Sequence, residues 1–391
     1  MTVFAISFII SLVCAFLGFI AFFDFIQLFF KFPRHFVYSV FNYRIPLIVM
    51  GLVSFSIAIL TGFFTIGIAT GWMATYIGTF SFLFANGFVL PTHVIFKSKH
   101  KSAKYTTVSE VQHEISEKDM VLVVAINGDA AAFPQHWIER PHVAGLNLAG
   151  QDLVMTFCGL SNLGVVFKNE LNGKSMNLKV LAQLEHNLLI FDTHSQSLIE
   201  QVYGKVADSN ERFETFSAVF MTFGAYKRLY PNGKIFNNPP SNSLDEKMTR
   251  MMLNKLLYAP GGHYDESTSK LAFPTVDYKD QRIGAKEKIY GVDLNGKQVA
   301  YTLAFIKANE NIITETFGSQ NVTVKYFEEY DFVDVFDGYV PNVDAYGRDE
   351  KGNYVTRVTH ANQMLWMVWA NFYPGAEVRV ITQEVVRRVA A

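Results

Sequence analysis

One short pattern occurs twice in this chain, and a duplicated unit restricts the architecture more than any other feature. Val124-Ala125-Ile126-Asn127-Gly128-Asp129-Ala130-Ala131-Ala132-Phe133 recurs as Gly291-Val292-Asp293-Leu294-Asn295-Gly296-Lys297-Gln298-Val299-Ala300-Tyr301, both Asn-Gly pairs in register at an offset of 168. Leu153–Phe157 likewise matches Val322–Tyr326, and Val166-Phe167 matches Val335-Phe336, at an offset of 169. A register held with a single slip marks a repeated supersecondary unit. Asn-Gly between apolar, β-branched runs is a hairpin signal. Met120–Ile126 and Ala130–Phe133 are therefore expected as paired strands, and so are Lys288–Leu294 and Val299–Tyr301. A second strand pair follows in each copy, at Asp152–Phe157 with Gly164–Phe167 and at Asn321–Tyr326 with Phe332–Phe336. Asn172-Gly173 marks a further hairpin, linking Val165–Asn169 to Ser175–Val180.

The N-terminal quarter obeys different physics. Val3–Phe23 holds 21 residues and Ile45–Phe96 holds 52, and neither run contains a charged residue. A bilayer needs roughly 20 apolar residues per helical crossing, and helices satisfy their own backbone inside lipid. Three transmembrane helices are expected, at about 3–23, 45–66 and 72–92, the second run turning near Gly67–Trp72. A cleavable signal peptide is disfavoured, because the start carries no charge and no A-x-A pattern follows. Lys31, Arg34 and Arg44 lie between the first two spans, and Lys97, Lys99, Lys101 and Lys104 follow the third. Two crossings separate these clusters, so they share a side. The cytoplasmic bias of Lys and Arg then places residues 97–391 in the cytoplasm, with the periplasm as the alternative. Asp24–Tyr43, rich in Phe, is expected along the interface.

Residues 1–96 carry three basic side chains and one acidic; the rest carries 31 against 34, a net charge of −3. That balance and the missing motifs exclude a nucleic-acid partner. Cys14 lies in an apolar run and Cys158 far outside it, so no disulfide framework exists. Residues 105–120 read as a polar linker. Helices are expected at Phe213–Leu229, at 243–257 with Ser243 and Glu246 as a capping box, and at Thr359–Tyr373, where Trp366, Trp369 and Phe372 form a core stripe. The fold class is α+β. N-terminal transmembrane helices (1–96) precede two repeated, sheet-rich lobes (105–204 and 286–391), bridged by a helical and loop segment (205–285).

Several motifs in this order resemble a bacterial family of unknown function, DUF3179. They are Ile126–Ala130 with Ala132-Phe133-Pro134, Thr156-Phe157-Cys158, Asn187–Asp192, Tyr230-Pro231-Asn232, Val292–Gly296 and Trp366–Pro374. The resemblance covers roughly 105–378 and implies a membrane or envelope setting without supplying a reaction. Members of that family commonly carry a second cysteine three residues after the first, where this chain has Ser161. They also carry a histidine about seventeen residues before the first cysteine; His142 is the nearest match. Losing one thiol removes a two-cysteine redox cycle. The export signals common in the family point to the periplasm, against the charge bias.

Cys158 with His142 is the sharpest candidate site, either a soft-metal pair or a nucleophile with its base, against the bland reading of a buried thiol. His136, His186 and His194 are the only nearby reserves, and no zinc spacing organises them. Asn187 and Asp192 flank an apolar strand and are candidate binding residues, although turn and cap duties explain them as well. Gly261–Asp265 reads as a plain connection, with a flexible loop able to gate a cleft as the alternative. Glu328, Glu329, Asp331 and Asp334 form an acidic cluster with a solvated-edge alternative. No nucleotide, zinc-protease or hydrolase motif occurs. The expectation is a membrane-anchored binding or accessory protein with no catalytic motif and no cofactor assigned. Its partners would be the lipid bilayer of a bacterial inner membrane and a membrane protein or a second copy. The alternative is a thiol- or metal-dependent protein using Cys158 and His142 in a cleft between the lobes.

Overall fold

The computed structural model describes residues 1–89, 92–111 and 113–381. It opens with helices α1 (Thr2–Phe22), α2 (Asp24–Phe29), α3 (Arg34–Asn42), α4 (Arg44–Leu60) and α5 (Thr70–Phe84). A π-helical turn extends α4 to Thr65 and another extends α5 to Val89. α1 runs antiparallel to α4, since Cys14 meets Gly51 and Phe4 meets Gly62. α5 returns alongside α1, where Tyr76 hydrogen-bonds Ser11 and Gly87 lies on the backbone of Gly18. A Cβ at Gly87 would stand 2.6 Å from that backbone, so only glycine permits the contact. The buried face of α1 holds Ser7, Ser11, Cys14, Ala15, Gly18 and Ala21, whereas Val3, Ile6, Ile9, Val13 and Phe16 point outward. Small residues inside and large apolar ones outside invert the pattern of a water-soluble helix.

Three spans were expected, but among the described residues two helices are long and apolar enough to cross a bilayer: Thr2–Phe22 and Arg44–Thr65. The third, expected at 72–92, is diluted by Thr75, Tyr76, Thr79 and Asn86; residues 90 and 91 lie outside the described residues. The interfacial stretch forms α2 and α3. Val37, Tyr38, Val40 and Phe41 of α3 pack on Leu181, Leu184, Leu189 and Leu198. Arg34 pairs with Glu185 at 2.6 Å, and the Tyr38 hydroxyl donates to Glu200 at 2.6 Å.

After α6 (Thr92–Ile95), β1 (Tyr105–Thr107) and α7 (Val108–Val111) occupy the expected linker. A first series follows: β2 (Met120–Ile126), β3 (Asp129–Pro134), α8 (Gln135–Ile138), β4 (Val143–Leu148), β5 (Gln151–Cys158) and β6 (Leu163–Lys168). Next come β7 (Leu178–Leu184), β8 (Asn187–Asp192), β9 (Leu198–Glu200), β10 (Lys205–Val206) and β11 (Thr215–Phe216), then β12 (Ala218–Thr222), α9 (Phe223–Leu229), β13 (Lys234–Phe236) and α10 (Leu244–Leu253). The second series is β14 (Lys288–Leu294), β15 (Lys297–Thr302), α11 (Leu303–Ala308), β16 (Ile312–Phe317), β17 (Gln320–Phe327) and β18 (Phe332–Asp337), closed by β19 (Ala361–Leu365), α12 (Trp366–Phe372) and β20 (Glu377–Arg379). Residues 382–391, the end of the expected second lobe, lie outside the described residues.

The second series repeats the first strand for strand, at 168 residues for the hairpin and 169 for the three-stranded meander. Both hairpin corners are left-handed, with φ of 48° and 92° at Asn127-Gly128 and 52° and 79° at Asn295-Gly296. The correspondence runs further. β12–α9–β13 and β19–α12–β20 share bounds at an offset of 143. β12 pairs antiparallel with β2 as β19 does with β14, and β13 pairs parallel with β3 as β20 does with β15. The sheets are β1-β13-β3-β2-β12, β19-β14-β15-β20, β11-β6-β5-β4, β16-β17-β18 and β10-β9-β8-β7.

Two expected helices are thus corrected. Phe213–Leu229 and Thr359–Tyr373 are each half strand and half helix, because their first apolar residues are buried on both faces beside a hairpin, where periodicity cannot tell strand from helix. The segment 205–285, expected as a helical bridge, contributes β10 to β13. Asn172-Gly173 turns tightly through the Leu171–Lys174 bridge, but β6 and β7 lie in different sheets. No side-chain cap bond forms at Ser243, and Glu246 binds Arg140 and Arg250 instead, so the capping box is absent. Trp366, Trp369 and Phe372 are core, as their spacing predicts.

Candidate functional site

Cys158 ends β5, fully buried; its thiol donates to Gln183 Oε1 and to the His186 carbonyl, each at 3.5 Å. Burial pushes the thiol up from its ordinary value, which disfavours a thiolate there. His142 sits between α8 and β4 at φ 67°, its carbonyl taking the Phe157 N–H at 2.8 Å. Its ring lies 4.4 Å from that of Phe96, its Nδ1 makes no hydrogen bond, and burial lowers its pKa to about 4. The equivalent residue in the second series is Asn311, also at φ 67° and also taking an N–H at 2.8 Å, from Tyr326. Asparagine and histidine are both among the side chains that tolerate that left-handed conformation. No hydrogen bond joins His142 to Cys158. Among the described residues no group of three or more His, Cys, Asp or Glu side chains can hold a metal ion.

Asn187 joins the surroundings of Cys158. It donates to Ser161 Oγ at 3.5 Å and Gln201 Oε1 at 3.2 Å, and accepts from Val202 N at 3.1 Å. Asp192, at the far end of β8, closes a turn by accepting from Asn177 N, Ser195 N and His194 N. Burial raises its pKa, but these bonds win and hold it below the ordinary value. His194 is exposed beside Ser175 and Lys101. The 261–265 loop is clamped down rather than free to gate a cleft. His263 Nε2 meets the Leu160 carbonyl at 2.5 Å, Tyr264 donates to the Gly159 carbonyl, and buried Lys286 donates to the carbonyls of Gly262 and Asp265. The acidic cluster does not converge on one point: Asp334 pairs with Arg357 and Asp331 accepts from Tyr326.

What gathers around this turn is a cavity of about 260 Å³ where the N-terminal helices meet the sheets. Phe22, Phe25 and Leu28 supply one wall; Leu160, Leu256 and Phe273 supply the other. Its polar lining includes Asp24, Glu139, His142 and Gln183, with no Lys or Arg among the described residues. Asp24 opens α2 one residue after α1, half-buried, and accepts from Gln183 N at 3.3 Å; burial raises its pKa to about 7, against the pull of that bond and of Thr92. Behind the Phe273 wall, the rings of His186 and His263 stand 5.0 Å apart, with three of their four nitrogens unpartnered. Burial lowers His263 to about 4 and holds His186 well below its ordinary value. The cavity therefore presents a few polar groups on a mainly apolar surface. Sequence reasoning missed Asp24, Glu139 and His263. Asp24 alone left a signal, as the one acidic residue in the first 96.

These features define a mixed helix and sheet protein with an N-terminal helical region and a sheet-rich remainder. The chain belongs to the family described as a protein of unknown function, DUF3179, whose model matches residues 100–376. No curated protein and no solved structure matches it.

Proposed function

We propose that this is a membrane-anchored binding protein that draws an amphiphile from the bilayer into the cavity between its helices and its sheets. The observation that carries the reading is the composite wall. Half the cavity belongs to the N-terminal helices and half to the sheet-rich part, with a few polar groups between them. An engineered 150 Å³ apolar cavity in another protein holds benzene, so about 260 Å³ suits two fused rings or a chain of roughly ten carbons. With no Lys or Arg in the lining among the described residues, an anionic headgroup finds no counter-charge from them.

In this reading α1, α4 and α5 cross an inner membrane, and the outward apolar faces of α1 and α4 meet lipid or a membrane partner. The docking of α3 on β7–β9 supports one shared side for residues 24–44 and everything after 97. Lys and Arg bias makes that side cytoplasmic, so a reporter fused at the C-terminus is expected to be active only as a cytoplasmic enzyme. A periplasmic readout would refute the placement. The strand-for-strand correspondence supports an internal duplication in which one copy acquired β7–β11 and the cavity. The thiol-dependent alternative is weaker, since burial disfavours ionisation of Cys158 and no hydrogen bond joins it to His142.

Leu256→Trp tests the binding reading by filling the cavity. In full-length protein in lipid nanodiscs, β-naphthol followed by anisotropy is expected to bind wild type and to lose at least about tenfold in affinity in the variant. Equal affinity would overturn the assignment.

A further inference from the structure

A pair of histidines lies in the core with most of its nitrogens unanswered. His186 is 1% exposed and His263 is fully buried. Their rings stand 5.0 Å apart, inclined at 71°, and the Phe273 ring packs on both at 5.9 and 5.6 Å. His263 Nε2 meets the Leu160 carbonyl, so that nitrogen carries the proton and Nδ1 keeps a lone pair that no donor reaches. Neither nitrogen of His186 makes a hydrogen bond. Burial and then His263 hold its pKa down, while the Phe273 carbonyl pulls the other way. Polar nitrogens stranded in a core are costly, and a group that binds them removes the cost.

Both histidines sit on held backbone. His186 occupies the corner between β7 and β8 at φ 61°, where the Cys158 thiol donates to its carbonyl. His263 N donates to the Leu256 carbonyl at 2.9 Å, within the loop that Tyr264 and Lys286 clamp. Fixed elements thus present the free lone pairs, as a preformed site requires.

We propose that His186 and His263 together bind one copper(I) ion, through Nδ1 of His263 and a ring nitrogen of His186. The site is separate from the amphiphile cavity and does not rest on that reading. An ion about 2 Å from one nitrogen of each ring sets the ring centres about 5 Å apart when the angle at the metal is bent and about 6 Å when it is linear. The pair stands at the bent end. The Nε2–H bond from His263 to the Leu160 carbonyl is the outer contact that ligating histidines ordinarily make. Burial keeps both imidazoles neutral, as metal binding requires.

The surroundings select the ion. Zinc takes four ligands, and calcium and magnesium take oxygens. Among the described residues no third His, Cys, Asp or Glu side chain completes a group with this pair. Copper(I) accepts imidazole and is satisfied by two donors. Its single charge also suits an apolar site without a carboxylate, where Lys286 adds to burial in depressing the pKa of His263.

The test uses the full chain, purified metal-free in detergent and given copper(I) anaerobically in competition with bicinchoninate. Wild type is expected to retain one equivalent, with a first shell of nitrogen and no sulfur by X-ray absorption. Zinc in equal amount is expected not to displace it. His186→Asn and His263→Gln are each expected to weaken binding at least about 100-fold, because loss of an outer contact alone costs 10–100-fold. His194→Ala, at an exposed histidine, is expected to bind as wild type does. Should either core variant not fold, the wild-type spectrum decides by itself. Sulfur in the first shell would move the ion to Cys158 or a methionine and overturn the pair. Copper left with the chelator, displacement by zinc, or unchanged affinity in both folded core variants would overturn it as well.

Discussion

Arg357→Met is expected to cost about 3–5 kcal/mol of stability, the penalty for stranding a buried charge. Arg357 Nε donates to Asp334 Oδ2 at 2.7 Å, and that carboxylate is 2% exposed. Its other nitrogens reach the Tyr346 carbonyl at 2.9 Å and the Ala125 carbonyl at 3.4 Å. One guanidinium therefore ties β2 of the first series to β18 of the second. Without it, the hydrogen bonds left to Asp334 among the described residues come from the Ser217 hydroxyl and its neighbour's N–H, at Val335. Urea denaturation of the detergent-solubilised chain measures the loss. The double variant Arg357→Met with Asp334→Asn is expected to lose less than the two single losses added, since it removes the stranded charge. A single-variant loss below about 1 kcal/mol, the range of an exposed pair, would contradict this account.

The second large effect is acid sensitivity. His142 and His263 are buried neutral with pKa values near 4, against 6.5 when free. Between those values the unfolded chain binds protons that the folded chain refuses, so stability falls as pH drops from 6.5 toward 4. A shift of that size amounts to about 3 kcal/mol per histidine by pH 4. Asp24 acts in the opposite sense. Its folded pKa near 7 lies above the free value of 3.8, so its contribution is full below 3.8 and lost as pH rises through 7. His142→Asn removes one histidine and installs the residue that Asn311 already places at the same φ. Melting temperatures from pH 8 to 4 are expected to show a visibly flatter acid limb in the variant and little change at pH 8. An identical pH profile would mean that His142 is not buried neutral.

The sequence made the strands of both series legible because Asn-Gly corners and alternating β-branched runs are local signals. The same text held a second echo, Leu229-Tyr230-Pro231 against Phe372-Tyr373-Pro374 at an offset of 143. Two strand–helix–strand closures followed from it, yet helical spacing of the aromatics masked them. Cys158 and His142 stood out by residue type, but type does not report whether a thiol is ionised or which side of a strand it faces. Asp192 looked like Asn187 on paper; their hydrogen bonds separate a turn closure from a place beside Cys158.

By itself the sequence determined the helical N-terminal region, the paired hairpins and the membership of residues 100–376 in one family. These depend on periodicity, turn chemistry and composition, all of which act over a few neighbouring residues. Only the tertiary structure decided that Asp24, Glu139, His142 and Phe273 line one cavity. These residues lie up to 249 positions apart in the chain, and what unites them is the docking of the helices on the sheets, a contact between surfaces that no local pattern encodes.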